Sequence, residues 1–224
     1  MDKLPAWSFS SIKTFEQCPK KYYHLKVVKD FKEQETEAMH YGTRFHEAAE
    51  FYIKDGTPLP EPFKFAKGAL DNLNQLHGEK LCEFEMGLTE NLEPCDFKAP
   101  NVWWRGIADL IIINGDKCHL VDYKTSKSSK FADTKQLELL SLAIFKHFPK
   151  VKKVKAGLLF LVAEDFVTRD FENDEGKGKA WLHWLDVTDS LETCLEKNVW
   201  NPRPNFTCKN FCAVTDCIHN GRGH

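Results

Sequence analysis

The chain has 224 residues, 31 Lys and Arg against 33 Asp and Glu, and a formal net charge of -2. At roughly 100–200 residues per domain this is one domain with accessories, or at most two small ones, and 42% apolar with 12% aromatic residues supply enough core to exclude a disordered chain. No apolar run approaches the roughly 18–20 residues of a membrane helix, and the near-neutral charge excludes a histone-like mode of binding nucleic acid by bulk positive charge.

In chain order, Ser8 is placed to cap a helix running through Gln17, with Ile12 and Phe15 on one face. Pro19 interrupts it, and KKYYHLKVV follows. A second helix is expected from about Glu35 to Lys54, because Gly42, Phe45, His46, Ala49, Tyr52 and Ile53 recur at three- and four-residue spacing. DGTPLPEP is a Pro/Gly break, and a third helix follows from about Pro62 to Leu76. LCEFEMGLT, VWWRGIADLIIIN and KCHLVDYKT then read as three strands, with Asn114-Gly115 as a hairpin turn between the last two. A helix over Thr134–Phe148, a buried strand VKAGLLFLV, a pairing strand EDFVTRDFE, a charged loop ENDEGKGK and a last helix over Ala180–Lys197 complete the pattern before NPRPN. The order predicts a mixed α/β domain with a central sheet: helices over 1–78, a sheet core over 79–172, and a C-terminal helix with a cysteine tail over 173–224.

The segment Arg105–Lys127 carries the most chemistry. Asp109 interrupts a run of Ile107, Leu110 and Ile111, and Asp122 and Lys124 are two apart, so both point to one face of the next strand. A hairpin brings Asp109 near Asp122, and two partly buried carboxylates are costly unless a cation neutralises them. Oxygen ligands of this kind suit Mg²⁺ or Mn²⁺, and an adjacent lysine suits orientation of an attacking water or stabilisation of charge in phosphodiester cleavage. His46 in GTRFHEAAE adds a third element. Glu50, one turn on, is a candidate ligand or a group that orients the imidazole, and Gly42 leaves space for another backbone.

The chain has eight cysteines, and Cys208, Cys212 and Cys217 are separated by three and four residues. No basic flank and apolar stretch opens the chain, so a cytoplasmic, reducing setting is expected, in which clustered cysteines hold metal more often than disulfides. Three thiolates need a fourth ligand for Zn²⁺ or an iron–sulfur cluster, and Cys18, His219, Cys194 and His224 are the candidates. Lys20, Lys21 and Lys127 lie in basic stretches suited to DNA phosphates, and Tyr22, Tyr23, Trp103 and Trp104 offer rings for single-stranded bases.

The succession FSSIKTFEQCPKKYY, GTRFHEAAE, GIADLII, VDYKTSK, QLELLSLAIF and a C-terminal cysteine group resembles the RecB-like branch of the PD-(D/E)XK nuclease superfamily. This branch includes the nuclease domains of RecB and AddB and the CRISPR-associated RecB-like exonucleases. The resemblance spans nearly the whole chain. It implies a restriction-endonuclease-like α/β core with metal ligands His46, Asp109 and Asp122, catalytic Lys124, and Gln136 on the following helix. Leu140 stands where the family carries a Tyr. It further implies that Cys18, just before Pro19, joins Cys208, Cys212 and Cys217 around a [4Fe–4S] cluster, with structural Zn²⁺ as the alternative. The activity implied is a Mg²⁺- or Mn²⁺-dependent DNA exonuclease acting on ends or single strands, with DNA and recombination or CRISPR-adaptation proteins as partners, in a bacterial cytoplasm or as a phage protein. An endonuclease of the same superfamily and a catalytically idle DNA-binding scaffold are the alternatives.

Overall fold

The computed structural model describes residues 5–173 and 179–222. Its elements begin with α1 (Phe9–Gln17), α2 (Pro19–Tyr22), a π-helical turn (Tyr23–Val28), α3 (Glu37–Asp55), a 3-10 turn (Glu61–Ala66) and α4 (Lys67–Gln75). They continue with β1 (Glu79–Leu88), β2 (Pro94–Cys95), β3 (Trp104–Asn114), β4 (Lys117–Lys124), α5 (Lys135–His147), β5 (Lys153–Phe160), β6 (Asp165–Glu172), α6 (Lys179–Lys197) and a 3-10 turn (Phe206–Cys208). Two compact units result, one of residues 36–175 and one of residues 1–35 with 176–224. Helices α3 and α4 thus group with the sheet rather than with the N-terminal helices.

In the unit of residues 36–175, Thr36 caps α3 by accepting from the Met39 amide at 3.3 Å, and Gly56, at φ 71°, ends it in the left-handed conformation. The six-stranded sheet has the order β2-β1-β3-β4-β5-β6. All neighbours are antiparallel except β4 and β5, whose parallel pairing requires the α5 crossover. The hairpin between β3 and β4 pairs Asn114 with Lys117, so its turn residues are Gly115 and Asp116, one position later than the Asn-Gly signal suggests. Gly115 supplies the positive φ of 64° at the first of them.

Alternation along the strands divides the two faces. Leu110, Ile112, Val121 and Tyr123 pack with Phe45, Ala49 and Ile53 of α3 and with Leu70 and Leu73 of α4. Asp122 belongs to the other face, where α5 packs against β1, β3, β4 and β5, whereas Asp109 lies where the regular β3–β4 pairing has ended and is reached by His46 of α3. Gly106 is required by this packing: a Cβ there would come within 2.7 Å of the Trp104 ring and 3.1 Å of Leu140. At the sheet edge the Phe166 ring lies over Gly157, filling the space of the missing side chain.

In the other unit, Ser8 caps α1 through a capping box, as its position predicts, and Ile12 and Phe15 are buried. Pro19 ends α1 and also occupies the first turn of α2, where its missing N–H costs nothing. Trp184 of α6 stacks on Trp7, with centroids 6.3 Å apart, and meets Phe9 edge-on at 6.1 Å. Most of the charged loop ENDEGKGK lies outside the described residues. Among the described residues no helix is long and apolar enough to cross a membrane.

Candidate functional site

Strand register builds an acidic row. The β1–β3 ladder pairs Cys82 with Leu110 and Phe84 with Ala108, which sets Glu83 opposite Asp109. The β3–β4 ladder stops at Leu110–Val121, one step before Asp109 would pair with Asp122. There the Tyr123 amide donates instead to Asp109 Oδ2 at 2.6 Å, a buried charge-assisted bond of about 1.5–3 kcal/mol. Like charges opposite each other across a sheet repel. His46 of α3 reaches them both: its Nδ1 lies 3.4 Å from Asp109 Oδ1 and 3.6 Å from Glu83 Oε1. Burial alone would lower the pKa of His46, but its bonds and charge interactions with Asp109 and Glu83 outweigh burial and raise it to about 10.

The ligand atoms of His46, Glu83 and Asp109 all lie within 4.8 Å of one another, the one such group among the described residues. Glu83 Oε1 is buried with no conventional hydrogen bond, only the long 3.6 Å ion pair to His46. Such a carboxylate oxygen beside a second carboxylate and an imidazole fits a hard divalent cation such as Mg²⁺ or Mn²⁺.

Asp122 stands beside this group, 3% exposed. Gln136 Nε2 donates to its Oδ1 at 2.7 Å, and Lys124 Nζ lies 2.5 Å from its Oδ2 and also donates to Gln136 Oε1 at 3.3 Å. Burial raises the Asp122 pKa to about 6, the charge of Asp109 adds to the rise, and Lys124 opposes it. Of the residues expected from the sequence, His46 and Asp109 therefore meet directly, and Asp122, Lys124 and Gln136 form a connected triangle next to them. Glu83 is the member that sequence reading missed. Three glutamates line β1, and only the register singles out the one facing Asp109.

Other expectations resolve differently. Glu50 pairs with Lys54 at 3.6 Å, outside the group. A Cβ on Gly42 would meet only the Thr125 side chain, at 3.7 Å, so no backbone presses on that glycine. Leu140 is buried against Gly106. Tyr22 is 1% exposed, with its ring against Phe15 and Trp200, which corrects its reading as a platform for bases. Trp104 is buried as well. Lys127 is exposed beyond β4. Lys21 pairs with Glu33 at 2.7 Å, and both Lys20 and Lys21 belong to the unit holding the cysteine tail.

In that unit Cys18, Cys208, Cys212 and Cys217 line a single cavity, together with His219, Lys20, Lys21 and Arg203. Backbone amides point at two of the sulfurs: those of Lys21 and Arg203 at Cys18 (3.5 and 3.4 Å), and that of Asn205 at Cys208 (3.4 Å). Bonds of this kind stabilise thiolate sulfur. Cys194 is not among the lining residues, and burial raises its thiol pKa. His224 lies outside the described residues. Among the described residues no three cysteine sulfurs gather within 4.8 Å of one another.

No curated protein matches the chain. Among solved structures, one named "Putative exonuclease", from Eubacterium rectale, superposes with a TM-score of 0.51 at 12% identity, over 92% of this chain and 86% of that one. It shares the fold. A second, named SSO0001, aligns over 98% of this chain and 89% of its own at 14% identity, with a TM-score of 0.43. The sequence pattern of the PD-(D/E)XK nuclease superfamily matches residues 6–217, from ahead of α1 to the last cysteine and across every residue of the acidic row. With that span matched and the mixed sheet in place, the chain belongs to the PD-(D/E)XK nuclease superfamily.

Proposed function

We propose that the chain is a divalent-metal-dependent DNA exonuclease that hydrolyses phosphodiester bonds at ends or in single strands. The observation that carries this reading is the opposition of Glu83 and Asp109, with His46 between them, next to the Lys124–Asp122–Gln136 triangle. His46, Asp109 and Asp122 would hold the metal, with Glu83 as an added oxygen ligand. A bound Mg²⁺ or Mn²⁺ supplies a Lewis acid for the scissile phosphate and a lowered pKa for an attacking water. Lys124 orients that water and offsets negative charge as the phosphorus centre is attacked. Gln136 holds Lys124 and Asp122 in a fixed relation, so that neither must reorganise during the reaction. The exonuclease form is supported by the sequence resemblance and agrees with the name of the Eubacterium rectale protein. Recombination, phage genome processing or CRISPR adaptation in the cytoplasm are the settings that the resemblance suggests.

End-labelled linear and closed circular single strands, incubated with Mg²⁺ or Mn²⁺, test the proposal. Mononucleotides or short products from linear DNA alone are expected, whereas cleavage of the circle makes the protein an endonuclease. Full activity in Asp122→Ala or Lys124→Ala overturns the site.

The same proposal assigns Cys18, Cys208, Cys212 and Cys217 to a [4Fe–4S] cluster. Such a cluster would join residue 18 to residue 217 and close nearly the whole chain into a loop, which gives it a structural role. Anaerobically purified protein should absorb near about 400 nm and lose that band in Cys18→Ala but not in Cys194→Ala. Stoichiometric zinc without the band refutes the assignment.

A further inference from the structure

The loop of residues 125–134 leaves β4 at Lys124 and delivers α5 with Gln136, so both of its ends are anchored in the proposed active site. Its tip carries Phe131, 88% exposed, the most exposed large hydrophobic side chain among the described residues. The tip is a built turn. Ala132 N–H donates to the Ser129 carbonyl at 2.9 Å, which places Lys130 and Phe131 at its two central positions. Lys130 N–H donates to Ser128 Oγ and Ser126 Oγ to the Ser128 carbonyl, each at 3.2 Å, and the Ser129 hydroxyl bonds to Asp165 of β6. A phenyl ring held in water on a pinned turn adds nothing to the core, and the fold offers no internal reason for it.

We infer that Phe131 is a stacking residue for an unpaired base of the DNA strand being cleaved, and that it biases the enzyme toward single-stranded ends. This rests on the nuclease reading above. The stretch from Lys124 to Thr134 carries three lysines against the single carboxylate of Asp133, and the Asp165 carboxylate is engaged by the Ser129 hydroxyl, so the net positive charge beside the ring suits a polyanion. Lys130 Nζ lies over one face of the ring, 5.6 Å from its centroid, which leaves the opposite face for a base and sets a phosphate partner next to it. Phe131 is seven residues beyond Lys124 and therefore at most about 25 Å from it, within reach of a strand a few nucleotides from the scissile bond. Bases inside a duplex already stack on their neighbours and present no free face, whereas an unpaired base of any sequence does.

The test uses a single-stranded oligonucleotide carrying 2-aminopurine, with Ca²⁺ in place of Mg²⁺, and in parallel KM and kcat on single-stranded and blunt duplex substrates. Wild-type protein should quench the fluorophore. Phe131→Ala should abolish the quenching and weaken single-strand binding about tenfold, in KM rather than kcat, with blunt duplex unaffected. Phe131→Trp should restore both, and Phe131→Leu should not. Unchanged single-strand affinity in Phe131→Ala, equal losses on both substrates, or full function of Phe131→Leu overturns the inference. If the wild type cleaves no DNA with either metal, the nuclease reading fails on its own, and the quenching measurement still decides whether Phe131 stacks.

Discussion

Gln136 Nε2 donates to Asp122 Oδ1 at 2.7 Å, joining the first turn of α5 to the C-terminal half of β4. The same amide accepts from Lys124 at 3.3 Å, so one neutral side chain controls both charged ones. Replacing it with Leu, of similar size but without polar atoms, should lower kcat by about 10–100-fold with KM nearly unchanged, since it touches the ligand and the lysine rather than the distal strand. Steady-state kinetics on a linear single strand gives the answer. A loss confined to KM would assign Gln136 to substrate binding instead.

Glu83 contributes nothing visible to packing and faces a second carboxylate, so its presence makes sense as a metal ligand. In Glu83→Gln the affinity for Mn²⁺, measured by calorimetry, should fall by about tenfold or more. The rise in melting temperature that Mn²⁺ produces in wild-type protein should shrink correspondingly, and chelation with EDTA should remove it from both proteins. An unchanged Mn²⁺ affinity would exclude Glu83 from the ligand set.

Gly106→Ala should destabilise the protein by about 1–3 kcal/mol, because the new methyl group would meet the buried Trp104 ring and Leu140 at once. Urea denaturation followed by Trp fluorescence reads the effect. Combined with Leu140→Ala, the double variant should lose less stability than the sum of the two single losses, since that substitution vacates one of the two colliding groups.

His147 is half-buried on α5, with Nε2–H donating to the Gly87 carbonyl at 2.9 Å. Burial lowers its pKa below the ordinary imidazole value of 6.5, and the Gly87 carbonyl opposes this only in part. The unfolded chain therefore takes up a proton before the folded one does. The contribution of His147 is complete above about pH 6.5 and is lost as the pH falls below it. Because the raised pKa values of His46 and Asp122 act in the opposite sense, the effect is read as a difference: the urea midpoint of wild type relative to His147→Gln should decline between pH 7.5 and 5.5. A difference between the two proteins that does not change with pH would exclude His147 as the group responsible.

Much of this protein was legible in its sequence, for physical reasons that differ from element to element. Ser8 and the spacing of Phe45, Ala49 and Ile53 mark α1 and α3 because caps and periodicity are local properties. Asp109 stood out because a lone carboxylate amid isoleucines has no packing role. Glu83 did not, because its meaning depends on which residue a neighbouring strand sets opposite it. Tyr22 was misread for the same reason: an aromatic beside lysines looks accessible until Phe15 and Trp200 are seen to enclose it. The two-residue β2 is too short for any periodicity, and the third helix begins as a 3-10 turn where the pattern predicts one continuous helix.

The margins of the sheet carry a further consequence. On one side the outermost strand is β2, only two residues long, and on the other it is β6, whose exposed positions include Asp165, Arg169, Asp170 and Glu172. A short strand cannot template a new one, and a charged strand repels an incoming copy. The charges of β6 thus guard that margin against edge-to-edge pairing, whereas β2 covers only Gly87 and Leu88 of β1 on the other.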